Sequence, residues 1–288
     1  YSATIGDYVG KSLDFTNLNA DGYAIQLTTV NSISEVNSLQ NSVFVDWGNT
    51  TIYVRTFDDR IPDADLWLLD NTAIYSNLDN RKYYFENINF AGTVGVLTST
   101  SAGGSKFYAK NCSFMAMTIF GQNESILQDC LSLYTLNGDK INYDVSNTVI
   151  NNAIEINCNI KNTIIENTAQ ASTSHNGCNT IRINGFYENN SGQNIADVTN
   201  SNSWNLGIIM KNSTFQDVSF YLGNTGKAWL DNCTSEGNTT DIFVESASTV
   251  YVNDLQSDGV NGGTGTVVVN NTSQVSLLEE RVLALETP

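Results

Sequence analysis

The chain has 288 residues, 41% of them hydrophobic and 15% charged, with 30 acidic against 13 basic side chains and a formal net charge of -17. This apolar fraction excludes a disordered chain, and the acidic excess argues against nucleic acid as a partner, because too few cations are present to displace counterions from phosphate. No stretch reaches the roughly 18 consecutive apolar residues of a membrane span and Tyr1 opens no secretory leader, so no membrane insertion is expected and the chain reads as a piece of a longer polypeptide.

Residues 1–72 are irregular and read as an N-terminal cap. Within them Val43-Phe44-Val45-Asp46-Trp47 leads through Gly48 and Asn49 to Ile52-Tyr53-Val54-Arg55, the pattern of a hairpin or of an entry to a larger sheet. Asp58, Asp59, Asp63 and Asp65 then cluster with Arg55 and Arg60 around Pro62. Four carboxylates in eight residues suit a hard cation such as Ca²⁺ or a glycan; the alternative is a solvated turn held by Arg-Asp pairs. No other cofactor is expected.

From 73 to 272 the chain carries a degenerate repeat. Phe85-Glu86-Asn87-Ile88-Asn89-Phe90, Ala109-Lys110-Asn111-Cys112-Ser113-Phe114, Met210-Lys211-Asn212-Ser213-Thr214-Phe215 and Leu230-Asp231-Asn232-Cys233-Thr234 share a β-prone run, a polar residue, Asn, then a small or apolar residue. Spacings of about 20 to 25 residues, or multiples of that, are those of a solenoid turn. Alternation within Ile154, Ile156, Cys158 and Ile160, with Glu155, Asn157, Asn159 and Lys161 between, has the period of a strand and puts the acid and the amides outside. Parallel stacking of such turns at about 4.8 Å gives each strand a neighbour, and Asn at the bends accepts left-handed backbone and can ladder its amide along the stack. The expected fold is all-β, a right-handed parallel β-helix of roughly nine rungs. An antiparallel sandwich is the runner-up. Cys112, Cys130 and Cys233 fall in look-alike contexts, and the five cysteines show no zinc spacing, so they read as small buried residues of equivalent rungs.

Chemistry along the rungs is sparse. The only histidine, His175, lies in a polar stretch and no nucleophile motif accompanies it. Arg182, flanked by Ile181 and Ile183, is expected on the outer face, where it could serve a lyase as base. A hydrolase needs two carboxyl groups about 5 to 9.5 Å apart, and Glu155, Glu166, Glu188, Asp217, Asp231 and Glu245 form the pool. The weak catalytic candidates are therefore Glu155, Arg182, Glu188 and Asp231. For sugar binding without cleavage, Trp229 is the leading platform, its neighbours Ala228 and Leu230 pointing inward and Lys227 and Asp231 beside it; Trp204, Tyr187, Tyr221 and Tyr251 are companions. A contact between subunits would place the same apolar demand on Trp229.

Residues 273–288 change character. Val275, Leu278, Val282 and Leu285 occupy a and d positions of a short α-helical coiled coil, with Ser273 as N-cap and Arg281 placed to meet Glu286 of a neighbour. Three parallel rods closed around an axis make the expected homotrimer. Leu277 and Leu283 lie off the seam and leave open a single helix capping its own chain.

These rung boundaries and terminal heptads resemble the right-handed parallel β-helix, pectate-lyase-like domains of bacteriophage tailspikes and tail fibres. The resemblance spans roughly residues 75 to 286 and carries no catalytic signature. It implies an extracellular protein on a virion tail or cell-surface appendage that attaches to a host by recognising surface polysaccharide, with a polysaccharide lyase or glycoside hydrolase, or a structural fibre or adhesin segment, as alternatives.

Overall fold

The computed structural model describes residues 1–4, 9–18, 24–70, 81–90, 93–97, 105–114, 116–121, 124–132, 139–144, 151–163, 170–190, 192–213 and 217–269. The chain forms two compact units, Tyr1–Thr72 and Ala73–Pro288. In the first, Ser42–Asp46 and Thr51–Arg55 pair as an antiparallel hairpin, extended on its two edges by Ser2–Thr4 and Thr28–Thr29. A six-residue helix, Ile33–Ser38, starts where the Ser32 side chain accepts the Glu35 backbone N–H, the usual cure for an orphan donor at a helix start. Leu27, Val43, Ile52 and Val54 bury a small core beneath the hairpin.

The second unit is a parallel β-helix with three faces. Strands of the first face stack as Lys82–Glu86, Lys106–Lys110, Glu124–Gln128, Asn152–Ile156, Asn179–Ile183, Asn202–Leu206, the start of Lys227–Glu236, Thr249–Ser257 and Thr266–Val269, each parallel to the one before. Seven coils, those opening at Lys106, Glu124, Asn152, Asn179, Asn202, Lys227 and Thr249, carry a strand on all three faces. The nine rungs expected are the strands of the first face, and coils at either end are incomplete. The repeat is also less regular than the spacing predicted, from 17 residues between Thr249 and Thr266 to 28 between Glu124 and Asn152, while the stacked strands keep register.

The bend after the first face is a column of left-handed residues: Asn87, Asn111, Asp129, Asn157, Asn184, Gly207, Asn232 and Asp254, with φ between 49° and 61°. Their backbone N–H groups donate to the next coil, and where amides stack they ladder, Asn111 onto Asn87 at 2.6 Å and Asn157 onto Asp129 at 2.9 Å. Asn and Asp tolerate this conformation because their short side chains hydrogen-bond locally. Gly207 replaces Asn because a Cβ there would sit 2.7 Å from the Asn184 amide oxygen.

From Asn111 onward the residue after each bend points inward, and Cys112, Cys130, Cys158 and Cys233 occupy that column, whereas Ile88, after Asn87 on the first coil, is exposed. Gly185 interrupts it: a Cβ at that position would lie 2.6 Å from the Tyr187 ring system, so the missing side chain makes room for the phenol. Cys178 lies in the opposite corner, ahead of the first-face strands, with Ser201 and Ser248 in equivalent places. All five thiols are free and buried, and burial pushes those of Cys178 and Cys233 up to about 12, so they are packing groups.

The left-handed bend also shifts the strand phase, and this overturns two expectations. Ile154 and Ile156 face outward and Glu155 is fully buried, whereas Cys158 and Ile160, beyond Asn157, face inward as predicted. One alternation cannot be carried through a bend residue. For the same reason Ile181 and Ile183 lie outside and Arg182 inside, with no exposed surface. The coiled-coil residues Val275, Leu278, Val282 and Leu285 lie outside the described residues.

Candidate binding face

Of the catalytic candidates, Glu155 and Arg182 form the center of a buried polar cluster. The Arg182 guanidinium grips Asp197 with both terminal nitrogens, at 3.1 and 2.9 Å, and its Nε donates to Ser172 Oγ at 2.9 Å. Glu155 accepts from Ser172 Oγ at 2.6 Å and from the Tyr187 hydroxyl at 2.7 Å, and stands 3.7 Å from Arg182 Nε. Burial opposes the guanidinium's charge, but the Asp197 and Glu155 carboxylates outweigh it and raise its pKa. Tyr187, expected as a sugar platform, is fully buried here, its phenol held neutral by burial and by Glu155. A substrate has no route to any of these groups.

The other acids are spoken for on the surface. Glu188 pairs with Lys161 at 3.3 Å, on an outer column where Lys161, Glu188, Lys211 and Glu236 alternate in sign from coil to coil. Glu245 takes the Tyr221 hydroxyl and the Asn224 N–H, while Asp217 is held low by hydrogen bonds from Thr239. Glu166 lies outside the described residues. No two of the described pool are register partners on adjacent coils, the arrangement a hydrolase pair was expected to use. His175 Nε2 stands 3.1 Å from Thr173 Oγ1 and 3.9 Å from Asp139, whose carboxylate raises the imidazole pKa. Both contacts fall on one ring nitrogen, and the Thr173 hydroxyl already donates to the Ala196 carbonyl at 2.7 Å, so the three do not form a nucleophile relay.

The Asp cluster of the first unit is occupied by arginine. Asp59 pairs with Arg55 at 2.5 Å and accepts from Gln40, and Arg60 reaches Asp58 at 3.2 Å, Asp63 at 3.5 Å and, beyond the cluster, the buried Asp14 at 2.6 Å. Asp65 accepts from Thr16 at 3.4 Å. The arginines hold the positive charge that a cation would bring, which is the Arg-Asp turn of the two readings. Burial would raise the Asp14 carboxyl, but Arg60, Asn17 and the Thr16 N–H together hold it down to about 2. Its folded pKa therefore lies below the ordinary carboxylate value, and its contribution of about 2 kcal/mol is present above about pH 4 and lost as pH falls toward 2. An Asp14→Asn variant is expected to melt lower than wild type at neutral pH and to converge with it near pH 2; parallel melting curves across that range would contradict the assignment.

What the structure does assemble is an outer face. Three residues before each bend of the first face stands an outward apolar or aromatic residue: Tyr84, Tyr108, Ile126, Ile154, Ile181, Trp204, Trp229 and Tyr251, continued in register by Val268. Trp204 and Trp229 stack with ring centers 5.0 Å apart and planes 2° from parallel, and Tyr251 stacks on Trp229 at 5.3 Å and 12°. Beside them Asn202 donates to Asn179 at 3.3 Å and Asn179 to Asn152 at 3.0 Å, an amide ladder one column over. Asp231, on the other side of Trp229, accepts from Asn253 at 2.7 Å through Oδ1, while its Oδ2 has no hydrogen-bond partner among the described residues. So Trp229, Trp204 and Tyr251 come together as the sequence expected, with Asp231 at their flank. Tyr221 stands on the third face instead, stacked on Phe243 at 5.7 Å. The isoleucine and asparagine columns were not foreseen; counting back from each bend residue would have found them.

Comparison of the chain with protein-family models, with curated proteins and with solved structures finds no match, so the identification goes as far as the geometry carries it: a parallel β-helix with a continuous apolar and amide-lined outer face.

Proposed function

We propose that this chain is the β-helical body of an extracellular tailspike-like or tail-fibre-like protein, homotrimeric through its terminal heptads, that recognises host-surface polysaccharide along its first face. The observation that carries the reading is the pairing of the Trp204-Trp229-Tyr251 stack with the Asn152-Asn179-Asn202 ladder on consecutive coils. A polymer laid along the rod at inter-strand steps of about 4.8 Å meets amides on the coils of Asn152, Asn179 and Asn202 and rings on those of Trp204, Trp229 and Tyr251, the two series overlapping at Asn202 and Trp204. Because the rings face one another, they present their electropositive edges outward, where sugar oxygens can meet them, and the amides offer donors and acceptors to hydroxyls. The binding reading is supported by the burial of Glu155 and Arg182, which withdraws two of the catalytic candidates from contact with a ligand.

The test is titration of the full chain with purified bacterial surface polysaccharides, alongside assays for new reducing ends and unsaturated-uronate absorbance. Trp229→Ala is expected to weaken binding by about tenfold or more, the loss of a central aromatic contact worth at least ~1.4 kcal/mol. Product formation would overturn the binding-only reading in favour of an enzyme, and a chain that binds no polysaccharide would leave a structural fibre.

A further inference from the structure

On three consecutive coils the first face is aliphatic where a sheet facing water would be polar. The inward central positions of Asn152–Ile156, Asn179–Ile183 and Asn202–Leu206 are Glu155, Arg182 and Asn205, all buried. Ile154, Ile156, Ile181, Ile183 and Leu206 therefore point outward, each half-buried. Three columns run side by side across these coils: the amide ladder of Asn152, Asn179 and Asn202; then Ile154 and Ile181, continued by the Trp204 ring; then Ile156, Ile183 and Leu206. Successive outward residues of one strand stand about 7 Å apart, so a sugar lying over the amides reaches the isoleucines with its substituents. None of these outward groups is charged, in a chain whose formal charge is -17. The bordering coils are balanced, with Lys106 paired to Glu124 at 3.1 Å on one side and one charge of each sign, Lys227 and Asp231, on the other.

We propose that this strip selects an uncharged polysaccharide whose sugars carry acetamido groups, the acetamido amide bonding to the asparagine ladder and its methyl packing on Ile154 and Ile181. This selectivity rests on the glycan reading of the same face and narrows it to one class of sugar. Asn179 donates one N–H to Asn152 at 3.0 Å and accepts one from Asn202 at 3.3 Å, so its amide keeps one donor and one acceptor position for a ligand. An acetamido group answers both, with one C=O and one N–H, and carries a methyl beside them. A hydroxyl in its place could also meet the amide, but it would leave the isoleucines in water. Hydroxyls laid over the isoleucines would lose hydrogen bonds and gain none, whereas a methyl takes that apolar surface out of water. A carboxylate, sulfate or phosphate fares worse than either. It would give up hydration over a strip that holds no cation, on a chain whose overall field repels it.

Chitopentaose and cellopentaose isolate the substituent, because they share a backbone and differ in acetamido against hydroxyl; polygalacturonate supplies the charged arm. Calorimetric titration of the full chain is expected to show chitopentaose binding at least about tenfold more tightly than cellopentaose, the usual effect of a small apolar group finding or missing its contact. Polygalacturonate is expected to bind more weakly than both. Ile154→Ser/Ile181→Ser should remove most of the preference for chitopentaose, while Trp229→Ala weakens both oligosaccharides alike. Both isoleucines point away from the core, so circular dichroism should stay that of the parent. Where it does not, the wild-type chain decides through isoleucine methyl NMR: N-acetylglucosamine should shift the Ile154 and Ile181 signals and leave Ile209, on another face, in place, and glucose should move none of them. Equal affinity for the two pentasaccharides, tighter binding of polygalacturonate, or a preference that survives the double substitution would overturn the proposal. The glycan reading survives any of these results if purified bacterial polysaccharides still bind in a Trp229-dependent way. If no carbohydrate binds at all, both fall together.

Discussion

Arg182→Ala is expected to destabilise the β-helix by about 3–5 kcal/mol, the cost of removing one partner from a buried ion pair and leaving the other uncompensated. Asp197 would lose both guanidinium hydrogen bonds and Glu155 its neighbouring cation, with neither carboxylate able to reach water. The three residues come from three different strands on two faces, so the damage would spread across the coils that open at Asn152 and Asn179. Replacing the cluster as a whole should behave differently. A Glu155→Leu/Arg182→Met/Asp197→Leu variant removes all three charges together and is expected to lie within about 1–2 kcal/mol of wild type, because desolvating the native triad already consumes most of its Coulomb gain. Urea titration of the three proteins measures both differences. If the triple variant were as unstable as Arg182→Ala, the cluster's hydrogen bonds to Ser172, Tyr187 and Asn205 would matter more to stability than its balance of charge. Position in the column supports the pairing: the inward column of Glu155, Arg182 and Asn205 is flanked by Leu127 and Leu230, and that of Asp197 continues as Leu222 and Val244.

Much of this architecture was written in the residues at the corners. Asn87, Asn111 and Asn232 announce left-handed bends, and cysteine or a small residue one place on announces the inward turn that follows. What escaped was the phase of the strand leading into each bend. Asn157 and Asn184 look like ordinary polar members of an alternating strand, and reading through them reverses the faces of residues 154–156 and 181–183. Asp129, Gly207 and Asp254 hold the same conformation without the Asn that would mark it. Trp229 was placed outward correctly, since Ala228 and Leu230 are inward residues within a single strand. The buried charges were beyond any pattern argument. A strand that carries Glu155 or Arg182 between isoleucines has the alternation of an amphipathic strand facing the other way, and only the partner Asp197, from a different face, makes the inward choice affordable.

The second large effect is expected from Lys140, whose amine is fully buried and meets one described acceptor, the Ser132 carbonyl at 3.4 Å. A lysine ammonium has three donors to satisfy and no carboxylate among the described residues answers it, so burial pushes its pKa well below the usual lysine range. The folded chain therefore carries one proton fewer than the unfolded chain at every pH between that depressed value and about 10.4. Stability contributed by this site rises with pH through that window, by up to about 1.4 kcal/mol per unit, and is lost again as pH falls. Lys140→Met keeps the unbranched shape, fills the same space and removes the proton balance. It is expected to raise stability at pH 7 by about 1–3 kcal/mol, the burden of an unsatisfied buried polar group. The advantage over wild type should shrink as pH climbs toward about 10, where the unfolded lysine is also losing its proton. Melting both proteins from neutral to alkaline pH tests this directly, because every other titrating group is common to the two and cancels in the difference. Curves that run parallel would mean that Lys140 keeps its proton in the fold, and with it a counter-charge that the described residues do not supply.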